Sequence, residues 1–166
     1  MKLFLLGAPC AGKTTLMSPL RAALPCPVLD MDEEILRLNR GTWPPIEAKR
    51  TLARQVIEEA SRHDDAVLAY SLLDREQLDV LNDDGWVISL LDVPEAVLRE
   101  RAQQRLEREG WTNIEWLPLH LRNIEELLAQ DVFAHVLDAT SPVPALVKAL
   151  LEILNTGEGR HTPASH

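Results

Sequence analysis

The stretch KLFLLGAPCAGKTTL, residues 2–16, constrains the fold more than any other part of the chain. Lys2 to Leu6 is a short run rich in apolar side chains, the pattern of a strand buried on both faces. Gly7-x4-Gly12-Lys13-Thr14 follows at once, and Lys13 to Leu24 reads as a helix with Leu16, Leu20 and Leu24 on one face. A strand that breaks into a glycine loop and re-emerges as a helix turns backbone N–H groups inward, and the helix start adds the positive end of its dipole. Such a loop holds phosphates. Gly7, Ala8, Pro9, Cys10, Ala11, Gly12, Lys13, Thr14 and Thr15 are expected to form it. Lys13 is placed on the β- and γ-phosphates of a nucleoside triphosphate, and Thr14 on Mg2+.

The rest of the chain keeps the same rhythm. Further strands are expected at 27–31, 66–72, 86–91 and 133–138, with helices at 33–39, 46–62, 75–81, 94–109, 119–129 and 143–155. This alternation predicts a three-layer α/β fold of the P-loop type, with about five parallel strands and helices on both faces. In such sheets ligands sit beyond the carboxyl ends of the strands. The glycine loop, the acids of LDMDEE, and Ser71 with Asp74 and Arg75 all fall there. One domain over 1–155 is expected, with an acceptor-binding insert at about 36–62 and a lid at about 101–122. TGEGRHTPASH, 156–166, reads as a disordered tail.

Charge narrows the partners. A formal net charge of −9 argues against nucleic acid, which calls for a basic surface. No apolar run approaches the ~18 residues of a membrane span. The apolar run before Gly7 is too short for an export signal, and Cys10 and Cys26 read as reduced thiols, so a cytoplasmic protein is expected, monomeric or homodimeric.

Two further groups of residues bear on chemistry. Asp30 and Asp32, at i, i+2 on an extended backbone, point the same way. Facing a bound nucleotide, one can hold a metal-bound water and the other can orient or deprotonate an acceptor hydroxyl; Asp32 also reads as a helix N-cap before Glu33 and Glu34. Arg101, Arg105 and Arg108 share a helix face, suited to a lid that closes on developing charge, with Arg105 favoured. The segment after them, GWTNIEWLP, carries Trp111 and Trp116, expected as hydrophobic anchors.

With these residues in hand the chain resembles the small P-loop kinases of the nucleoside-monophosphate-kinase-like group, nearest the gluconate and shikimate kinases. VLDMDEEI is similar to the shikimate-kinase strand end, and that likeness implies Asp30 for Mg2+ through water and Asp32 for the acceptor hydroxyl. RERAQQR resembles the start of the lid, implying Arg101 against adenine and Arg105 on the phosphates; DATSPV implies Pro142 near the base. AYSLLDREQLDVL is similar to the gluconate-kinase segment after the third strand. The nucleotide-kinase motif of Asp-Gly, an aromatic, Pro and Arg survives there only as Arg75, and the shikimate-kinase glycine triplet is absent. In the insert, Arg37, Arg40, Arg50 and Arg54 are candidates for gripping an acceptor. The resemblance implies a kinase using ATP with Mg2+ as cofactor to phosphorylate a hydroxyl of a small molecule, with catalysis by Lys13, Asp32 and Arg105 and acceptor contacts from Asp32, Arg54 and Arg75. A nucleoside monophosphate kinase, or an ATP-binding switch that hydrolyses slowly, are the alternatives.

Overall fold

The computed structural model describes residues 1–156, and the expected tail beyond Thr156 lies outside the described residues. Five strands form one all-parallel sheet: β1 (Lys2–Gly7), β2 (Val28–Asp30), β3 (Ala66–Tyr70), β4 (Val87–Asp92) and β5 (His135–Asp138). Their spatial order is β2-β3-β1-β4-β5, which puts β1 in the centre. Leu3, Phe4, Leu5 and Leu6 are wholly buried, as expected of a strand covered on both faces. Each such side chain contributes about 1.5–3 kcal/mol of burial free energy, so KLFLL is the keel of the core.

Among the described residues seven α-helices connect and cover the strands: α1 (Lys13–Ala23), α2 (Met31–Leu38), α3 (Ile46–Ser61), α4 (Arg75–Asp83), α5 (Glu95–Glu109), α6 (Leu117–Ala129) and α7 (Val143–Thr156). α1 continues past Pro19 to Ala23, and buries Leu16, Met17 and Leu20. α3 buries Ala53, Val56, Ile57 and Ala60 along one stripe. α4 opens with a capping box in which Asp74 accepts from the Gln77 N–H while Gln77 reaches back to the Asp74 N–H. Trp86 enters β4 with its indole N–H donating to the Ser61 hydroxyl at 2.9 Å, which ties the end of α3 to the sheet.

Three local expectations change. Thr156 is the last residue of α7 and not the start of the tail. A short 3-10 turn at Ile114–Trp116 leads into α6, so the irregular stretch after α5 shrinks to 110–113. The cap of α2 is Asp30, and Asp32 lies inside the first turn. Asp30 keeps an extended backbone and its Oδ1 accepts from the N–H of Asp32 at 2.9 Å and of Glu33 at 3.4 Å, the reach of a short carboxylate folding back on the helix start.

Candidate active site

The glycine loop turns as its composition requires. Gly12 sits at φ 97°, a left-handed conformation that glycine adopts without steric cost, and Cys10 takes φ 67° beside it. Gly7 is needed for a different reason: a Cβ there would meet the Ala11 Cβ at 3.1 Å and the Leu91 Cβ at 3.3 Å. The loop folds around Lys13, whose Nζ donates to the carbonyls of Gly7 at 2.5 Å and Ala8 at 2.8 Å. Burial pulls the Lys13 ammonium down to about 8, against the attraction of Asp32 and Asp30. An ammonium held that way, short of counter-charge, is prepared to receive phosphate.

Beside the loop opens a cavity of about 330 Å³. Pro9 to Leu16 form its floor, Asp30, Asp32 and Ser71 enter from the ends of β2 and β3, and α5 supplies Arg101, Gln104, Arg105 and Arg108. Asn113 comes from the segment between α5 and α6, and Ser141, Val143 and Leu146 close the far wall. The three arginines with a shared helical face are thus brought together over the loop. Arg101 donates to the Cys10 carbonyl and to the Ala139 carbonyl, both at 3.2 Å, and so staples the glycine loop to the turn after β5. Arg105 packs its guanidinium 4.8 Å from the Trp111 ring and 3.7 Å from Glu109, in a resting position. Trp111 and Trp116, expected as anchors, are 53% and 50% exposed; Trp111 serves Arg105 instead of the core.

The acids divide their work. Asp30 Oδ1 caps α2, which leaves Oδ2 3.4 Å from the Thr14 hydroxyl. Burial first and Asp32 second push the Asp30 carboxyl above the usual range. A hydroxyl and a carboxylate oxygen side by side suit Mg2+, which takes few protein ligands and keeps waters and phosphate oxygens for the rest. Asp32 Oδ1 is buried and accepts no hydrogen bond; its nearest cation, Lys49, stands 3.7 Å away.

Several residues at this edge escaped the sequence reading. Lys49 lies 5.0 Å from the Trp43 ring and 5.8 Å from the Tyr70 ring, and pairs with Asp32. It sits one turn before Ala53 on the buried stripe of α3, where a lysine is conspicuous. His120 occupies the apolar stripe Leu117, Ile124, Leu127 of α6 in the same way. Its Nδ1 lies 2.7 Å from the Ser71 carbonyl. Burial raises the Tyr70 hydroxyl well beyond its ordinary range, with Asp32 adding to it.

Other expected residues fall elsewhere. Arg54 and Arg75 do not line this cavity; they border a separate hollow between α3 and α4, where Arg54 pairs with Glu58 and Arg75 with Asp79. Pro142 is exposed, and its neighbours Ser141 and Val143 reach the cavity in its place. Arg37 pairs with Glu34 and Glu59 on the surface. No described helix is long and apolar enough to cross a membrane.

Comparison with known proteins agrees with this architecture. Over 117 residues the chain is 28% identical to a shikimate kinase of Aquifex aeolicus, 65% of this chain and 69% of that one. The structure of a shikimate kinase from Acinetobacter baumannii in complex with shikimate superposes with a TM-score of 0.72 at 22% identity, covering 94% of this chain and 93% of the other. A gluconokinase from Sinorhizobium meliloti gives a TM-score of 0.69 at 20% identity over 99% and 97%. Identities this low establish a shared fold. A family model described as an AAA domain matches residues 3–115, from β1 through the glycine loop and past the end of α5, and the chain belongs to that family.

Proposed function

We propose that the protein is a phosphotransferase that moves the γ-phosphoryl group of ATP to a hydroxyl of a small molecule. The observation that carries the reading is the meeting of two opposite chemistries in one cavity: an enclosed Lys13 ammonium, and a buried Asp32 oxygen that accepts no hydrogen bond. A hydroxyl proton is what that oxygen lacks. ATP lies with its phosphates on the loop N–H groups and Lys13, and Arg101, Arg105 and Arg108 reach over it from α5. The acceptor enters between the insert at about 36–62 and the lid at about 101–122, with its hydroxyl on Asp32. The acceptor oxygen forms a bond to the γ-phosphorus as the bond to the β–γ bridging oxygen breaks; ADP leaves with that electron pair, and the hydroxyl proton passes to Asp32. Thr14 and Asp30 would hold Mg2+, which neutralises charge on the phosphate oxygens. The kinase names of the similar proteins support the same class.

ADP release from Mg-ATP, measured with a panel of sugar acids, cyclic polyols, nucleosides and nucleoside monophosphates, tests the reading. Stimulation by one hydroxyl class, lost about 10²–10⁴-fold in Asp32→Asn while nucleotide affinity stays, is the expected result. Stimulation by monophosphates alone would make it a nucleotide kinase. Nucleotide binding without any stimulation would leave a switch.

A further inference from the structure

Three of the arginines that the sequence offers for an acceptor meet away from Asp32. Arg50 and Arg54 of α3 and Arg75 of α4 line a hollow of about 400 Å³ between the two helices, and no residue of it also lines the cavity over the glycine loop. The volume lies in the range that small-molecule sites occupy.

Helix chemistry alone does not account for this grouping. Arg50 and Arg54 stand four residues apart on α3, a spacing at which like charges destabilise a helix. The Arg50 guanidinium has no hydrogen bond or ion pair among the described residues. Arg75 adds a third positive charge from the facing helix, in a chain whose net charge is −9. Arg54 is tied to Glu58 at 3.0 Å and Arg75 to Asp79 at 3.2 Å, and each of these bonds uses Nε. The terminal nitrogens of both groups donate to nothing else among the described residues, and they are the edge that meets phosphate oxygens. Exposed pairs of this kind are weak and leave the cations able to bind.

Gln77 is an independent sign. It is only 6% exposed, it lines the hollow, and its Oε1 accepts the Asp74 N–H at 3.1 Å. Its Nε2 carries two N–H donors, and neither reaches a protein acceptor among the described residues. A buried amide with idle donors beside three guanidinium groups calls for a ligand rich in acceptor oxygens. The carboxylates of the rim limit its charge. Asp74 spends one oxygen on the Gln77 N–H at 2.9 Å and Glu76 is exposed, so the lining sets three positive charges against two negative ones. That balance suits a single phosphate group better than a polyphosphate.

We propose that the hollow between α3 and α4 is a second anion site, which takes a phosphate group, free or carried by a small molecule, on Arg50, Arg54, Arg75 and Gln77. The inference goes beyond the phosphotransferase reading and does not rest on it.

The test uses the full chain labelled with 15N, and sodium phosphate, glucose 6-phosphate and glucose as probes. Proton–nitrogen spectra separate the Gln77 side-chain amide from the Gly12 and Lys13 backbone amides, so binding in the hollow and on the glycine loop are read independently. The expected result is a saturable shift of the Gln77 amide with phosphate and none with glucose. Tighter binding of glucose 6-phosphate would identify a phosphate monoester as the ligand, equal or tighter binding of sodium phosphate the free ion, and both uphold the site. Arg50→Gln should weaken that binding about tenfold, the worth of a hydrogen bond to a charged group, and leave the response of the loop as it was. The substitution removes a like-charge pair, so the Tm of the ligand-free variant should equal or exceed that of the wild type. Arg75→Gln, on the facing helix, should repeat the loss of binding. A Gln77 amide that stays still, moves without saturating, or follows sodium chloride at matched ionic strength overturns the proposal. Phosphate affinity unchanged in both variants overturns it as well.

Discussion

Replacing Lys13 with methionine should strengthen the free protein while abolishing its hold on nucleotide. Burial lowers the Lys13 ammonium from 10.5 to about 8. At about 1.4 kcal/mol per pH unit, a displacement of that size means that carrying the charge costs the folded state about 3 kcal/mol at neutral pH. Methionine keeps the aliphatic stem but leaves the Gly7 and Ala8 carbonyls without their donor, a loss of about 1 kcal/mol or less for each. A net gain of about 1–2 kcal/mol remains, which corresponds to about 2–8 °C in Tm for a chain of this length. The pH dependence carries the sign. Because the folded value lies below the unfolded one, the unfolded chain binds more protons between about 8 and 10.5, so wild-type stability rises with pH through that window. Thermal unfolding of both proteins without nucleotide, at steps from about pH 7 to about pH 10, should show the largest gap at the acid end and a shrinking gap above about 8. Mg-ATP should raise the Tm of the wild type alone. A variant less stable than wild type at neutral pH, or a gap that ignores pH, refutes the argument.

Arg101→Ala removes both donors that join the Cys10 and Ala139 carbonyls, and should weaken Mg-ATP binding about tenfold by calorimetry; unchanged affinity would show that the staple is idle. Asp74→Ala dismantles the capping box of α4 and should cost about 1 kcal/mol in urea unfolding, with m unchanged. Trp111→Leu frees Arg105 from a stacking contact worth about 0.5–1 kcal/mol, so nucleotide should bind about two- to fivefold tighter. Weaker binding there would mean that Trp111 touches the nucleotide itself.

The strands and the glycine loop could be read from residues alone because each is a local pattern: Leu3 to Leu6 are apolar throughout, and the loop needs Gly7 where a side chain would collide and Gly12 where the backbone turns left-handed. The parallel sheet followed from alternation and the rule of right-handed crossovers. The acceptor side resisted for the opposite reason. Lys49 meets Asp32, Trp43 and Tyr70 only after α3 folds over β3, and nothing in AKRTLAR announces those neighbours. His120 and Ser71 are 49 residues apart. Arg54 by its type and Arg75 by the resemblance were expected at the acceptor, but α3 sets Arg54 beside Glu58 and α4 sets Arg75 beside Asp79. The exchange of capping duty between Asp32 and Asp30 came from a boundary two residues early, the usual margin for a helix end.

The central place of β1 has a price during synthesis. Lys2 to Leu6 pair with residues 66–70 on one side and Leu3 to Gly7 with 87–91 on the other, so the most apolar stretch is made well before either partner. The Cys10 carbonyl waits longer still, for Arg101. On the ribosome the glycine loop is therefore made before β3, β4 and α5, the elements that complete it. Until β4 arrives, KLFLL is an open strand edge, the kind of segment that chaperones and aggregates both recognise, and nucleotide can begin to stabilise the nascent chain only after α5 has docked.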